Sequence, residues 1–168
     1  MDDLLNIAYS NNNIKKKLDG KCNIITYNDL SNYNNIDQVL GKFGCVVILY
    51  ETSKNYGHWI CLFKTHDKKG KEIISFFDPY GFTVDDKLDY GNIEYYPMMS
   101  KLLYESPYQI EYNQYPMQTF SKNIATCGPW CIARIKFRKL PLNDFHKLFK
   151  GNKHFTSDEL VAIYVKNL

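Results

Sequence analysis

Long apolar runs are missing from this chain, and none approaches the roughly 18 residues that a membrane-spanning helix needs. The acidic start, Met1-Asp2-Asp3, is not followed by the apolar segment of a secretory signal, so no export is expected. Arginine is also scarce, since only Arg134 and Arg138 occur among 21 basic residues, and the net charge is only +3. The composition therefore gives no support for a membrane protein or a dedicated nucleic-acid binder.

Paired metal ligands and a disulfide framework are absent as well. The chain has five cysteines, an odd number, and no export signal accompanies them. Cys127 and Cys131 are four residues apart, but no second pair of cysteines or histidines follows at a spacing suited to zinc. We expect no metal and no other cofactor.

What the chain does have is a globular composition over 168 residues, with 45% hydrophobic and 15% aromatic residues. Without repeats or a long linker, this predicts one domain over 1–168, and we expect a monomer. Lysine (19), asparagine (16), isoleucine (15), tyrosine (14) and phenylalanine (10) dominate. These residues have AT-rich codons, which favours an AT-rich genome as the origin of the many lysines.

Three apolar runs separated by polar turns, 43–50, 58–64 and 72–78, predict consecutive antiparallel strands, and 108–114 predicts another strand. Apolar spacing and end signals predict helices over 28–40, 97–105, 127–140 and 142–150. Thr156, followed three residues later by Glu159, predicts a capping box at the start of the last helix. The order of these elements favours an α+β fold with a central mixed, largely antiparallel sheet flanked by helices.

Chemistry is indicated first at Cys127, where a loop becomes a helix. A helix start carries partial positive charge and lowers the pKa of a thiol, and Gly128 leaves the neighbouring backbone N–H groups open. The alternative is a small buried residue at a helix start. Cys131 lies one turn further along, and we interpret it as a core residue.

A nucleophilic thiol also needs a base and a group that orients the base. Of the four histidines, His58 stands at the start of a buried strand, and Asp78 ends the next apolar run along the chain. Both could approach one edge of the sheet if their strands were neighbours. The structural alternatives are a buried strand histidine and an Asx-turn aspartate before Pro79.

The ordered set Gly57-His58-Trp59, Phe77-Asp78-Pro79-Tyr80-Gly81-Phe82, Gln118 and Cys127-Gly128 resembles clan CE cysteine proteases. These include the adenovirus maturation protease, to whose branch the Asp-Pro-Tyr-Gly-Phe stretch is especially similar, and the SUMO and ubiquitin-like deconjugating proteases. His58 precedes Asp78 by 20 residues and Cys127 by 69. The resemblance implies that His58 is the base, Asp78 its orienting acid and Cys127 the nucleophile.

The same resemblance implies that Gln118 helps to form the oxyanion hole, and that Trp59, beside Gly57, narrows the substrate cleft. The family's glutamine usually lies six or seven residues before the cysteine. Gln118 lies nine before it and Gln114 thirteen, so Gln114 remains the alternative.

The implied activity is hydrolysis of a peptide bond after a small residue such as glycine. We expect a viral or virophage maturation protease that acts on capsid or core precursors, in the virion and in the cytoplasm of the host cell. A peptide or DNA activator is left open. The alternatives are a ubiquitin-like deconjugase, a Cys-dependent acetyltransferase and an inactive binding module.

Overall fold

The computed structural model describes residues 1–54, 56–86 and 97–168, and a five-stranded sheet with helices on both faces lies at its centre. The strands, in spatial order, are β1 (Asn23–Thr26), β2 (Cys45–Ser53), β3 (Tyr56–His66), β4 (Glu72–Phe77) and β5 (Ile110–Tyr112). The helices are α1 (Asp2–Leu5), α2 (Asn11–Lys17), α3 (Ile36–Leu40), α4 (Met98–Tyr104), α5 (Cys127–Lys136), α6 (Leu142–Leu148) and α7 (Ser157–Lys166), with a 3₁₀ helix at Tyr27–Asn32. The α+β fold class is confirmed.

The centre of the sheet is the antiparallel meander β2–β3–β4, as the three apolar runs predict. The outer strands β1 and β5 pair in parallel with β2 and β4, which makes the sheet mixed. Strands covered on both faces can be apolar at every position, and this explains the uninterrupted run from Cys45 to Tyr50.

Alternate side chains of these strands enter two apolar clusters, one on each face of the sheet. Val47 and Leu49 join the cluster under α2, α5, α6 and α7. Val46 and Ile48 join the cluster that packs against the 3₁₀ helix, α3 and α4. Helix α5 lies directly against β3, and its first residue is therefore held near the beginning of that strand.

Three predicted elements are interrupted or clearly shorter than expected, and strand β1 was not predicted. The predicted helix 28–40 is broken at Tyr33, which is extended, and Asn35 begins α3 by accepting the backbone N–H of Gln38 at 3.0 Å. Asparagine side chains compete with helical backbone bonds in this way. The predicted helix 127–140 ends at Lys136, because Arg134 donates to the carbonyls of Phe137 and Leu140 outside it. The predicted strand 108–114 shortens to β5.

The capping box of the last helix is confirmed, since Thr156 and Glu159 each bond the other's backbone N–H. Within the described ranges, no helix combines the length and the apolar character needed to cross a membrane.

Candidate active site

The site begins with two neighbouring strands. β3 and β4 are antiparallel with Cys61 opposite Phe77, so the residue that follows β4 returns to the beginning of β3. There His58 Nε2 lies 2.7 Å from Asp78 Oδ1. Both side chains are buried, with 8% of His58 and 1% of Asp78 exposed. Because Nε2 is engaged by the carboxylate, Nδ1 is the ring nitrogen that remains for a second partner.

Asp78 is itself held from two directions. The N–H of Tyr80 donates to Oδ1 at 2.8 Å, and the N–H of Gly81 donates to the Asp78 carbonyl at 2.8 Å, which closes the turn predicted here. Asn113, just beyond β5, accepts the N–H of Asp78 at 3.0 Å and donates back to its carbonyl. The carboxylate is therefore fixed in its position against the imidazole.

Cys127 is the first residue of α5, and its half-buried side chain faces the same cleft as His58. The following glycine is required by packing, because a Cβ on Gly128 would lie 2.8 Å from the Cβ of Tyr9. The N-terminal segment thus lies directly over the start of the helix. This contact places the thiol between the N-terminal segment and the strand that carries His58.

The pKa values of His58 and Cys127 are both shifted in the direction that favours the charged form of each side chain. Burial by itself lowers the pKa of His58, but hydrogen bonds to Asp78 and Cys127 outweigh it and raise that pKa to about 9. Burial likewise raises the pKa of Cys127, but the hydrogen bond and charge of His58, with the backbone N–H groups of Trp59 and Gly128, lower it below the ordinary value. Both shifts favour the form in which Cys127 is a thiolate and His58 an imidazolium, the reactive form of a cysteine nucleophile.

A cleft of about 360 Å³ opens onto the thiol. Its walls include both predicted substrate-binding residues, Gly57 and Trp59. The indole N–H of Trp59 donates to the carbonyl of Tyr9 at 2.9 Å, so the ring is fixed in the wall. Gly57 has no side chain, and this allows strand β2 of the same protein to pack closely against it. A Cβ at Gly57 would lie 1.9 Å from the carbonyl oxygen of Tyr50.

Gln118 also lines this cleft and is only 2% exposed, whereas Gln114 is exposed. Its Nε2 donates to the hydroxyl of Tyr80 at 3.2 Å and to the carbonyl of Ile124 at 3.1 Å. Its Oε1 is buried and has no hydrogen-bond partner among the described residues. Both amide protons are thus engaged, and the oxyanion role of Gln118 stays a prediction that requires one of these bonds to be exchanged.

Sequence reasoning did not single out Asp158, a buried residue of α7. Its carboxylate accepts the N–H of Thr119 at 2.9 Å, the hydroxyl of Thr126 at 2.5 Å and the indole N–H of Trp130 at 2.9 Å. Thr119 and Thr126 flank the segment that connects Gln118 to Cys127. Asp158 therefore fastens both ends of that segment, and no local sequence signal reveals it because its partners lie 28 to 39 residues away.

The comparisons with known proteins bear on origin. The chain is 38% identical over 167 residues to a protein of Sputnik virophage named uncharacterized protein V9, and the match covers 94% of this chain and 93% of that protein. The chain belongs to the family of this virophage protein, which indicates a virophage origin. No established protein-family model matches.

Among solved structures, the Rickettsia bellii effector protein RickCE is similar over 73% of this chain, with 23% sequence identity and a TM-score of 0.38. The chain spans 42% of the length of that effector chain. This level of similarity carries no conclusion about activity.

Proposed function

We propose that this protein is a cysteine endopeptidase. One observation carries the proposal: His58 Nε2 is held 2.7 Å from Asp78 Oδ1, and the Cys127 thiol faces the same open cleft, close enough for the two side chains to shift each other's pKa. Nucleophile, base and orienting acid are the three groups that acyl transfer from a thiol requires. The order of the three residues along the chain, and the resemblance to clan CE proteases, support the same proposal.

In the proposed reaction, the Cys127 thiolate attacks the carbonyl carbon of the scissile peptide bond and forms a tetrahedral intermediate. The imidazolium of His58 then gives its Nδ1 proton to the leaving amine, and the C–N bond breaks. The resulting thioester is attacked by water, whose proton passes to His58, and the acid product leaves with the thiolate restored. Asp78 holds the ring and stabilises its charged form throughout.

The oxyanion of each tetrahedral intermediate needs N–H donors. The start of α5 offers backbone N–H groups next to the thiol, and Gln118 offers a side-chain amide at the cleft wall. In the free chain both protons of that amide are bonded to Tyr80 and Ile124. We propose that the developing charge takes over one of them.

For the substrate, we infer a capsid or core precursor that is trimmed during virion maturation. Membership in the family of a virophage protein supports a viral setting, and a cleft walled by Trp59 and the N-terminal segment beside the thiol suits an extended peptide with a small residue next to the cleaved bond. The proposed reaction needs no metal or organic cofactor.

The test is co-expression of the chain with the structural proteins of its own virus, followed by mass spectrometry of new protein N-termini. New termini should appear with the native chain and vanish with Cys127→Ala, while Cys131→Ala, four residues along the same helix, should retain them. Absence of any Cys127-dependent terminus would refute the maturation role. Rapid labelling of Cys127 by a ubiquitin-like protein with a C-terminal electrophile would favour a deconjugase, and turnover that needs acetyl-CoA would favour an acetyltransferase.

A further inference from the structure

Tyr80, the tyrosine of the Asp-Pro-Tyr-Gly-Phe turn, contacts three of the four residues to which the proposed function assigns a role. Its ring lies parallel to the imidazole of His58, with centroids 4.6 Å apart and an interplanar angle of 18°. Its N–H donates to Asp78 Oδ1, the same oxygen that bonds His58. Its hydroxyl accepts a hydrogen bond from the side-chain amide of Gln118. One residue thus connects the base, the acid and the glutamine.

We propose that Tyr80 is a positioning residue of this site, which holds His58 against Asp78 with its ring and backbone and orients Gln118 with its hydroxyl. The proposal rests on the proposed function, because it assumes that His58 acts as an imidazolium. It assigns the ring and the hydroxyl separate tasks, and each task can be removed by a different substitution.

The ring has an electrostatic task because the face of an aromatic ring attracts a cation. Stacked at 4.6 Å on a buried imidazole, it favours the protonated form of His58. Among the described residues, the other titratable groups that act on His58 are Asp78 after β4 and Cys127 on α5. Burial first, and then the nearby Cys127 charge, raise the pKa of Tyr80 to about 12, so the phenol stays neutral while His58 titrates.

The hydroxyl has a geometric task. The backbone of Gln118 packs against the 78–81 turn: the N–H groups of both Met117 and Gln118 donate to the carbonyl of Pro79, next to Tyr80. The backbone of Gln118 is therefore fixed at the turn, and its side-chain amide is fixed by Tyr80 and Ile124. Loss of the hydroxyl leaves one of two amide anchors and frees the amide to turn.

The decisive experiment uses NMR on the full chain labelled at histidine and glutamine, and it follows the titration of His58 and the hydrogen exchange of the Gln118 side-chain amide. The native midpoint should lie near 9, and Tyr80→Leu should lower it by about half a unit to one and a half units, the equivalent of a partly desolvated cation–π contact.

Tyr80→Phe keeps the ring and should leave the midpoint unchanged, but the side-chain amide of Gln118 should exchange with solvent at least about tenfold faster, since an anchoring hydrogen bond is lost. Phe120→Leu is the matched control, because Phe120 lines the cleft and contacts Tyr80 without stacking on His58.

The outcomes separate the two proposals. A native His58 midpoint near the ordinary 6.5 would refute the resting thiolate–imidazolium pair and the ring's role in it, whereas the proposed function itself fails only if Cys127-dependent cleavage is absent. A native midpoint near 9 that Tyr80→Leu leaves unmoved would refute the ring's role and leave the proposed function standing. Unchanged exchange of the Gln118 amide in Tyr80→Phe would refute the hydroxyl's role, and this variant tests it even if Tyr80→Leu does not fold.

Discussion

Cys127 and Cys131 lie one turn apart on the same helix, yet their surroundings give their thiols opposite character. Cys127 stands at the helix start beside His58, and the hydrogen bond and charge of that residue outweigh burial and lower its pKa. Cys131 is completely buried against Cys61, where burial above all, and then the neighbouring thiol, raise its pKa far above the ordinary value. Positions one turn apart on the helix therefore favour a thiolate at Cys127, which lies beside His58 at the cleft, and a neutral thiol at the buried Cys131.

Removing each thiol in turn tests the difference between Cys127 and Cys131 most directly. Cys127→Ala should abolish hydrolysis, a loss of at least about 10⁴-fold, because no other group can form the acyl-enzyme. Cys131→Ala should retain the rate and lower the free energy of unfolding by about 0.5–3 kcal/mol, the usual cost of a small cavity. The measurements are turnover of a cleaved precursor peptide and urea denaturation.

Iodoacetamide labelling with peptide mapping gives an independent reading of the same pair. Cys45 also has a lowered pKa, through its hydrogen bond to Cys22, but it is completely buried. We expect Cys127 to react first because it alone combines thiolate character with access from the cleft. Faster labelling of Cys131 or Cys45 would contradict the assignment of the nucleophile.

The next effect concerns the two glutamines. Gln118→Ala should lower kcat by about 10² to 10³ with little change in KM, the usual loss for one oxyanion donor. Gln118→Glu should be at least as harmful, because a carboxylate repels the oxyanion. Gln114→Ala is the matched control and should change little, since Gln114 is exposed while Gln118 lines the cleft. If Gln114→Ala is instead the crippled variant, the assignment of the donor is wrong.

A smaller effect should appear as a divergence of two pH profiles. The thiolate forms as pH rises through the lowered pKa of Cys127, so alkylation should already be fast below pH 8.5, where an ordinary thiol is protonated. His58 loses its proton as pH rises through about 9. Above that pH, alkylation should stay fast while hydrolysis falls about tenfold per unit, because the leaving amine no longer receives a proton. Parallel profiles above pH 9 would contradict the role of His58 as the acid.

The sequence predicts the parts of this site that depend on local pattern. Apolar runs predict β2, β3 and β4. Because His58 is at the start of one predicted strand and Asp78 at the end of the next, the two residues are expected to be close together if these strands are antiparallel neighbours. Local pattern does not predict the role of Asp158, because all its hydrogen-bond partners are far from it in the sequence. The two hydrogen bonds of the Gln118 amide, to Tyr80 and to Ile124, likewise depend on the path of the segment 118–126, which residue spacing alone does not predict.

The N-terminal segment should make the smallest difference, in substrate selection. Tyr9 lies over Gly128 and its carbonyl holds Trp59, so its ring helps to narrow the cleft beside the thiol. In a peptide library, the native chain should favour glycine over leucine before the cleaved bond by about tenfold or more, and Tyr9→Ala should reduce this to a few-fold, since it removes the ring but keeps the carbonyl. Tyr104→Ala, which removes an exposed tyrosine of α4, should leave the preference unchanged. A native preference for bulky residues at that position would show that Trp59 and Tyr9 do not restrict it, and the cleft would then have to widen when substrate binds.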